Sequence, residues 1–198
     1  MITIIDYGMG NIGSIVNMLK KLGIKSQTTI SPIELLEAEK IILPGVGAFD
    51  NAMEKLNRLG FSEVIRKKAV EGTPILGICL GMQLLGTSSE EGVLDGLNLI
   101  PAKIRKFCPV GKLKVPHMGW NRVRPLNQEM YQNLEENRFY FVHSYYFDAE
   151  EENDIAGTTD YGIRFASSVR RRNVYGAQFH PEKSHKYGMQ FLRNFNEI

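Results

Sequence analysis

The strongest constraint on this chain is the regular exchange of apolar runs and amphipathic stretches in its first half. Ile2–Asp6 predicts a strand, and Ser14–Leu22 carries Ile15, Val16, Leu19 and Leu22 at helical spacing before Gly23 stops it. Ile24–Thr29 predicts a second strand. Ser31-Pro32-Ile33-Glu34 has the form of a capping box with proline at the first helical position. Lys40–Leu43 predicts a third strand ended by Pro44-Gly45, helices follow over Phe49–Leu59 and Ser62–Val70, and Pro74–Ile78 is a fourth strand. Strands that alternate with helices in this way form a parallel sheet covered on both faces, the α/β class.

The second half changes character. Arg138–Phe147, Ile163–Val169 and Val174–Phe179 read as strands with little helix between them, so antiparallel additions to the sheet are expected. Residues 169–174 read as a hairpin tip with Arg170–Arg172 in solvent, and Ser184–Phe195 as a closing helix capped by Ser184. No repeat or linker interrupts the chain, so residues 1–198 are expected to form a single domain.

Charge and composition exclude several classes. The chain has 24 Lys+Arg against 22 Asp+Glu, a net charge of +2, which gives no electrostatic footprint for nucleic acid or acidic lipid. The longest nearly apolar run, Pro74–Gly86, is too short to cross a bilayer. The opening MITIID reads as a strand and not as a secretion signal, so a soluble, cytoplasmic protein is expected. Two cysteines cannot make a disulfide scaffold. No metal or cofactor is expected.

Gly8-Met9-Gly10-Asn11-Ile12-Gly13 satisfies the dinucleotide pattern G-x-G-x-x-G. The pattern also needs a carboxylate at the end of the second strand, and Lys25–Thr29 has none. The motif therefore reads as a tight βα turn.

Gly77-Ile78-Cys79-Leu80-Gly81 is more specific: it has the G-x-nucleophile-x-G form of an elbow between a buried strand and a helix. Such an elbow sets the thiol at a helix N-terminus (here the helix is expected over Met82–Thr87), where free N–H groups favour thiolate. The Leu80 amide, next after the nucleophile, is placed to bind an oxyanion. Cys108, beside Phe107, reads as a buried structural cysteine. A cysteine nucleophile needs a base, and of His117, His143, His180 and His185 only His180 has a carboxylate at a useful offset. Pro181 favours an extended His180, which would let Glu182 reach the imidazole and fix its tautomer.

Leu76–Gln83 together with Gln178-Phe179-His180-Pro181-Glu182 resembles the class I, triad-type glutamine amidotransferases. Pro44-Gly45-Val46-Gly47, Pro116–Asn121 and Phe141–Tyr145 narrow the likeness to glutaminase subunits that serve histidine synthesis, over essentially the whole chain. The resemblance implies a flavodoxin-like fold, an open and mostly parallel sheet flanked by helices, and hydrolysis of L-glutamine through a Cys79 thioester. It implies that Gly45, Val46 and Gly47 join Leu80 around the oxyanion, with a peptide flip in that strand. It places Gln83 and Glu91 at the substrate's α-substituents, and Ser144 and Tyr145 in a backbone wall of the pocket. It also implies a (β/α)₈-barrel cyclase as partner in a heterodimer that receives the ammonia. Lys183 matches a residue that salt-bridges to this partner, and Asn11, His117, Met118, Trp120 and Asn121 are expected on the same face.

Two other enzyme readings share these residues: a paralogue that feeds ammonia to a sugar-amidating partner, and a stand-alone thiol hydrolase of γ-glutamyl compounds. A module that only regulates its partner is disfavoured by the complete Cys79–His180–Glu182 set.

Overall fold

The computed structural model describes residues 1–108 and 113–198. In chain order the first half runs β1 (Ile2–Ile5), α1 (Ile12–Lys21), β2 (Ser26–Thr29), α2 (Pro32–Leu35), β3 (Lys40–Gly45), α3 (Phe49–Arg58), α4 (Phe61–Val70), β4 (Ile75–Cys79) and α5 (Leu80–Leu84). There follow β5 (Ser88–Ser89), β6 (Ala102–Lys106), β7 (His117–Arg122), β8 (Arg124–Pro125), β9 (Arg138–His143) and β10 (Tyr145–Ala149). The last elements are β11 (Ile155–Tyr161), β12 (Ile163–Arg171), β13 (Val174–Ala177) and α6 (His185–Glu197).

The main sheet has the order β2-β1-β3-β4-β13-β12-β10-β6-β5, with β11 paired to β12 and β8. Strands β2, β1, β3, β4 and β13 are mutually parallel, whereas β12, β10 and β6 add antiparallel pairs. This is the expected architecture, and each part has a local cause. Ile2 and Ile4 face one side of the sheet and Ile5 the other, and Ile42 and Leu76 oppose Ile41 and Ile75 in the same way. A strand buried on both faces needs apolar residues at consecutive positions, which is what the unbroken runs supply.

Several details differ from the sequence reading. The apolar run Arg138–Phe147 is two strands: β9 pairs only with β7 in a separate two-stranded sheet, while β10 joins β6 and β12 in the main one. Ser144 is the break between them, and the run's continuous hydrophobicity hid it because both strands are core-facing. The capping box at α2 is completed through a third residue. Ser31 Oγ accepts from Glu34 N, but Glu34 reaches the Thr29 hydroxyl, and Thr29 Oγ1 accepts from Ser31 N. Residues 169–174 do form the hairpin tip, with Arg172 at φ 55°. Arg170 and Arg171 are not free there: they pair with Glu129 and Asp154. Cys108 is exposed and not buried, since Phe107 alone turns inward among aromatic rings while its neighbour faces out.

Candidate active site

The elbow is built by two close backbone approaches. A side chain at Gly77 would meet the Gly81 carbonyl at 2.6 Å, and one at Gly81 would meet the Leu43 carbonyl at 1.9 Å. Both positions are therefore closed to any Cβ. Between them Cys79 is held at φ 55°, ψ −111°, outside the regions that L-residues favour, at a cost of about 1–3 kcal/mol. Helix α5 begins at Leu80, directly after the thiol and earlier than expected, so the first free N–H groups lie at the nucleophile itself.

His180 comes from the segment that follows β13. It is extended, at φ −100°, ψ 97°, but the extension stops there. Pro181–Lys183 form a turn of 3₁₀ helix, so Glu182 reaches the ring by turning back beneath it and not by strand alternation. Proline's fixed φ suits the first position of such a turn. Glu182 Oε1 lies 2.8 Å from His180 Nδ1, with both side chains almost fully buried.

Ser184, expected as a helix cap, accepts from Gly188 N with its carbonyl, but its hydroxyl does not cap α6. Its hydroxyl donates to the His180 carbonyl at 2.6 Å and accepts from Tyr140 N at 3.0 Å, while His180 N donates to the Tyr140 carbonyl. Phe179 stacks on Phe139 at 4.0 Å between ring centroids. His180 is thus clamped to β9 from both sides of its own residue.

Burial opposes a charge on His180, but the Cys79 sulfur and the Glu182 carboxylate outweigh it and push its pKa up to about 10. The imidazole is therefore held as a cation between the Glu182 carboxylate and the Cys79 sulfur. Among the described residues its buried Nε2 has no hydrogen-bond partner of standard geometry, which leaves its proton uncommitted.

A pocket of about 340 Å³ gathers Cys79 and His180 with Val46, Gly47, Leu80, Gln83, Glu91, Ser144, Tyr145 and Lys183. That volume suits an amino acid. Gly45 lies behind it in β3, in register with Cys79. Gln83 uses its amide N–H groups on the Tyr145 carbonyl and Gln178 Oε1, and among the described residues its oxygen has no partner. Glu91 accepts from Phe49 N at 2.8 Å, which ties the pocket rim to the start of α3.

The remaining sequence candidates divide. Met118 is 62% exposed and Trp120 is 37% exposed, stacked on His185, while Lys183 sits over the Tyr140 ring. Asn11 heads α1 and is partly exposed. His117, expected on the surface, is buried: stacking on Phe141 and Tyr161 draws its ring inward from β7. It meets His143 at 3.0 Å and Asn121 at 3.2 Å. Burial pushes both imidazoles down, to about 4 for His117 and about 3 for His143, so both are neutral.

Three residues here take parts that their sequence motifs do not indicate. Tyr7 donates to the Pro44 carbonyl at 2.9 Å, and burial with the nearby Cys79 raises its pKa, so it stays a donor that fixes the Pro44-Gly45 strand. His143 lines the pocket, and fully buried Gln178 directs its amide at the Cys79 sulfur. Among the described residues no group of three or more His, Cys, Asp or Glu could hold a metal.

The family described as Glutamine amidotransferase class-I matches residues 3–198. The chain is 54% identical over 198 residues to imidazole glycerol phosphate synthase subunit HisH 2 of Methanococcus maripaludis, covering 98% of each chain. It is 47% identical over 201 residues to the protein of the same name from Pseudomonas aeruginosa, covering 100% of each. A solved glutamine amidotransferase superposes with a TM-score of 0.74 at 19% identity, over 98% of this chain and 97% of that one, a likeness of fold.

Proposed function

The chain belongs to the class I glutamine amidotransferases, and from that premise we propose that it is the glutaminase subunit of an imidazole glycerol phosphate synthase. In this reading it hydrolyses L-glutamine to glutamate and passes the ammonia to a (β/α)₈-barrel cyclase in a heterodimer. The observation that carries the chemistry is a strained cysteine and a carboxylate-held histidine opening on one amino-acid-sized pocket.

Cys79 Sγ attacks the side-chain amide carbon of glutamine, and the carbonyl oxygen takes the negative charge. The Leu80 amide, with the Gly45–Gly47 strand after its flip, stabilises that oxyanion. His180 gives its Nε2 proton to the amide nitrogen, the C–N bond breaks, and ammonia leaves a γ-glutamyl thioester. Water then attacks the thioester carbon, His180 takes its proton, and the C–S bond breaks to release glutamate and the thiolate. Glu182 holds the ring throughout and stabilises its charge.

Gln83 Oε1 and Glu91 would hold the substrate's α-ammonium, and Ser144 and Tyr145 the wall that its backbone meets. Met118, Trp120, Asn121, Asn11 and Lys183 form the docking face, and His117 supports that face from beneath. The decisive experiment is Cys79→Ala in the assembled enzyme: glutamine hydrolysis should fall by about 10⁴-fold or more, while synthesis from added ammonia persists. Strong residual glutaminase would refute the assignment.

A further inference from the structure

Between the β7 surface and the nucleophile runs a chain of six hydrogen bonds whose directions are all fixed by chemistry. The Tyr145 carbonyl can only accept, so His143 Nδ1, 2.8 Å away, must carry a proton and donate to it. A neutral imidazole has one N–H, so His143 Nε2 is an acceptor, and His117 Nδ1 donates to it at 3.0 Å. His117 Nε2 then accepts from Asn121 Nδ2 at 3.2 Å. From its other side the same Tyr145 carbonyl accepts from Gln83 Nε2 at 3.1 Å, and that amide's second hydrogen goes to Gln178 Oε1 at 3.0 Å. This orientation of the Gln178 amide leaves its Nε2 toward Cys79 Sγ at 3.9 Å. Turning any buried member round would set donor against donor or acceptor against acceptor.

The consequence falls on the sulfur. Cys79 Sγ lies 3.9 Å from the Val142 carbonyl, an acceptor that favours the thiol. Gln178 Nε2 is a donor at the same distance and favours the thiolate. Were the Gln178 amide reversed, two oxygens would face the sulfur and the thiolate would be opposed. The relay holds the amide in the productive sense.

We propose that His143 and Gln178 are positioning residues for Cys79, joined through the Tyr145 carbonyl and the Gln83 amide into one relay whose outer end is Asn121 on β7. The inference rests on Cys79 as the glutaminase nucleophile and not on the identity of the partner. His143 Nδ1–H fixes where the Tyr145 carbonyl points, so a change at Asn121 or His117 that shifts His143 displaces the acceptor that orients Gln83, which gives the docking face a physical route to the thiol.

The test is the pH profile of Cys79 alkylation by iodoacetamide, in the full chain carrying Cys108→Ser so that the exposed thiol does not react. Gln178→Leu should move the profile's lower midpoint upward by about one pH unit, the size expected for one hydrogen bond to a charged group. His143→Phe should move it in the same direction by less. His143→Asn, whose amide N–H replaces Nδ1–H toward Tyr145, should restore it. A purely structural role would lower the melting temperature of the Phe and Asn variants alike and leave the profile unmoved. An unchanged profile in folded Gln178→Leu or in folded His143→Phe overturns the relay. Should either fail to fold, the wild-type chain decides: imidazole ¹⁵N shifts should show both His143 and His117 protonated at Nδ1 and bare at Nε2, and any other tautomer in either ring overturns the proposal. Alkylation needs no glutamine, so failure of the glutaminase reading, seen as no hydrolysis by the wild-type complex, is a separate result.

Discussion

Two histidine sites meet at the pocket, both buried and opposite in charge. His180 is pushed up to about 10 and is cationic at neutral pH, whereas His143 and its neighbour His117 are pushed down to about 3 and 4 and stay neutral. Burial acts in the same direction on all three and disfavours the cation. The partner decides the outcome. His180 has a carboxylate at 2.8 Å and a thiol at its other side, while His143 has a second imidazole and a carbonyl. One wall is therefore built to move a proton and the other to hold its protons still.

The sharpest way to break this contrast is to remove the charge that distinguishes the two walls. Glu182→Gln keeps the shape of the orienting group, and it should lower the His180 pKa and reduce glutamine hydrolysis by roughly 10²- to 10⁴-fold. Glutamate release by the assembled enzyme measures it, and a loss below tenfold would show that Glu182 is only a spacer.

The second effect is on stability, and the two sites carry opposite signs. His117 and His143 have folded pKa values below the unfolded value of about 6.5, so the unfolded chain binds protons first. Their contribution is complete above that pH and is lost as pH falls toward about 4 and 3. His180 has a raised value, so its contribution is complete below about 6.5 and is lost as pH rises through about 10. The fall in urea midpoint between pH 7 and pH 5 should therefore be smaller in His117→Phe than in the wild type. Equal falls would mean that the neutral pair does not govern the acid limb.

The smallest effect is at the relay's outer end. Asn121→Ala removes neutral, partly exposed bonds to His117, the Asp160 carbonyl and Arg122 N and should cost about 1–3 kcal/mol at pH 7. A calorimetric loss several times larger would mean that Asn121 organises β7 as a whole.

The charged wall was legible in the sequence and the neutral wall was not, for a physical reason. Cys79 and its glycines, and His180 with Glu182, are local signatures: strain, close approach and a proline turn all act over a few residues. The parallel sheet was legible for the same reason, since a doubly buried strand must be a continuous apolar run. His143 finds its partner through the β7–β9 register, which pairs His117 with His143, and Gln178 finds Gln83 only when β13 lies beside β4. No spacing along the chain encodes either meeting. Ser184 misled because serine before a helix has two competing uses, and here the carbonyl of the base took the hydroxyl. Ser144 passed unnoticed because one sheet hands the chain to another without a change in hydrophobicity.

The place of β13 in the sheet has a consequence for the order in which the enzyme comes to life. In chain order it is the last of the described strands, yet it lies in the middle of the sheet between β4 and β12. A ribosome therefore releases Cys79 long before the strand that leads to His180. Until that strand slots in, the emerging chain carries Cys79 with neither the His180 imidazole nor the Gln178 amide beside it.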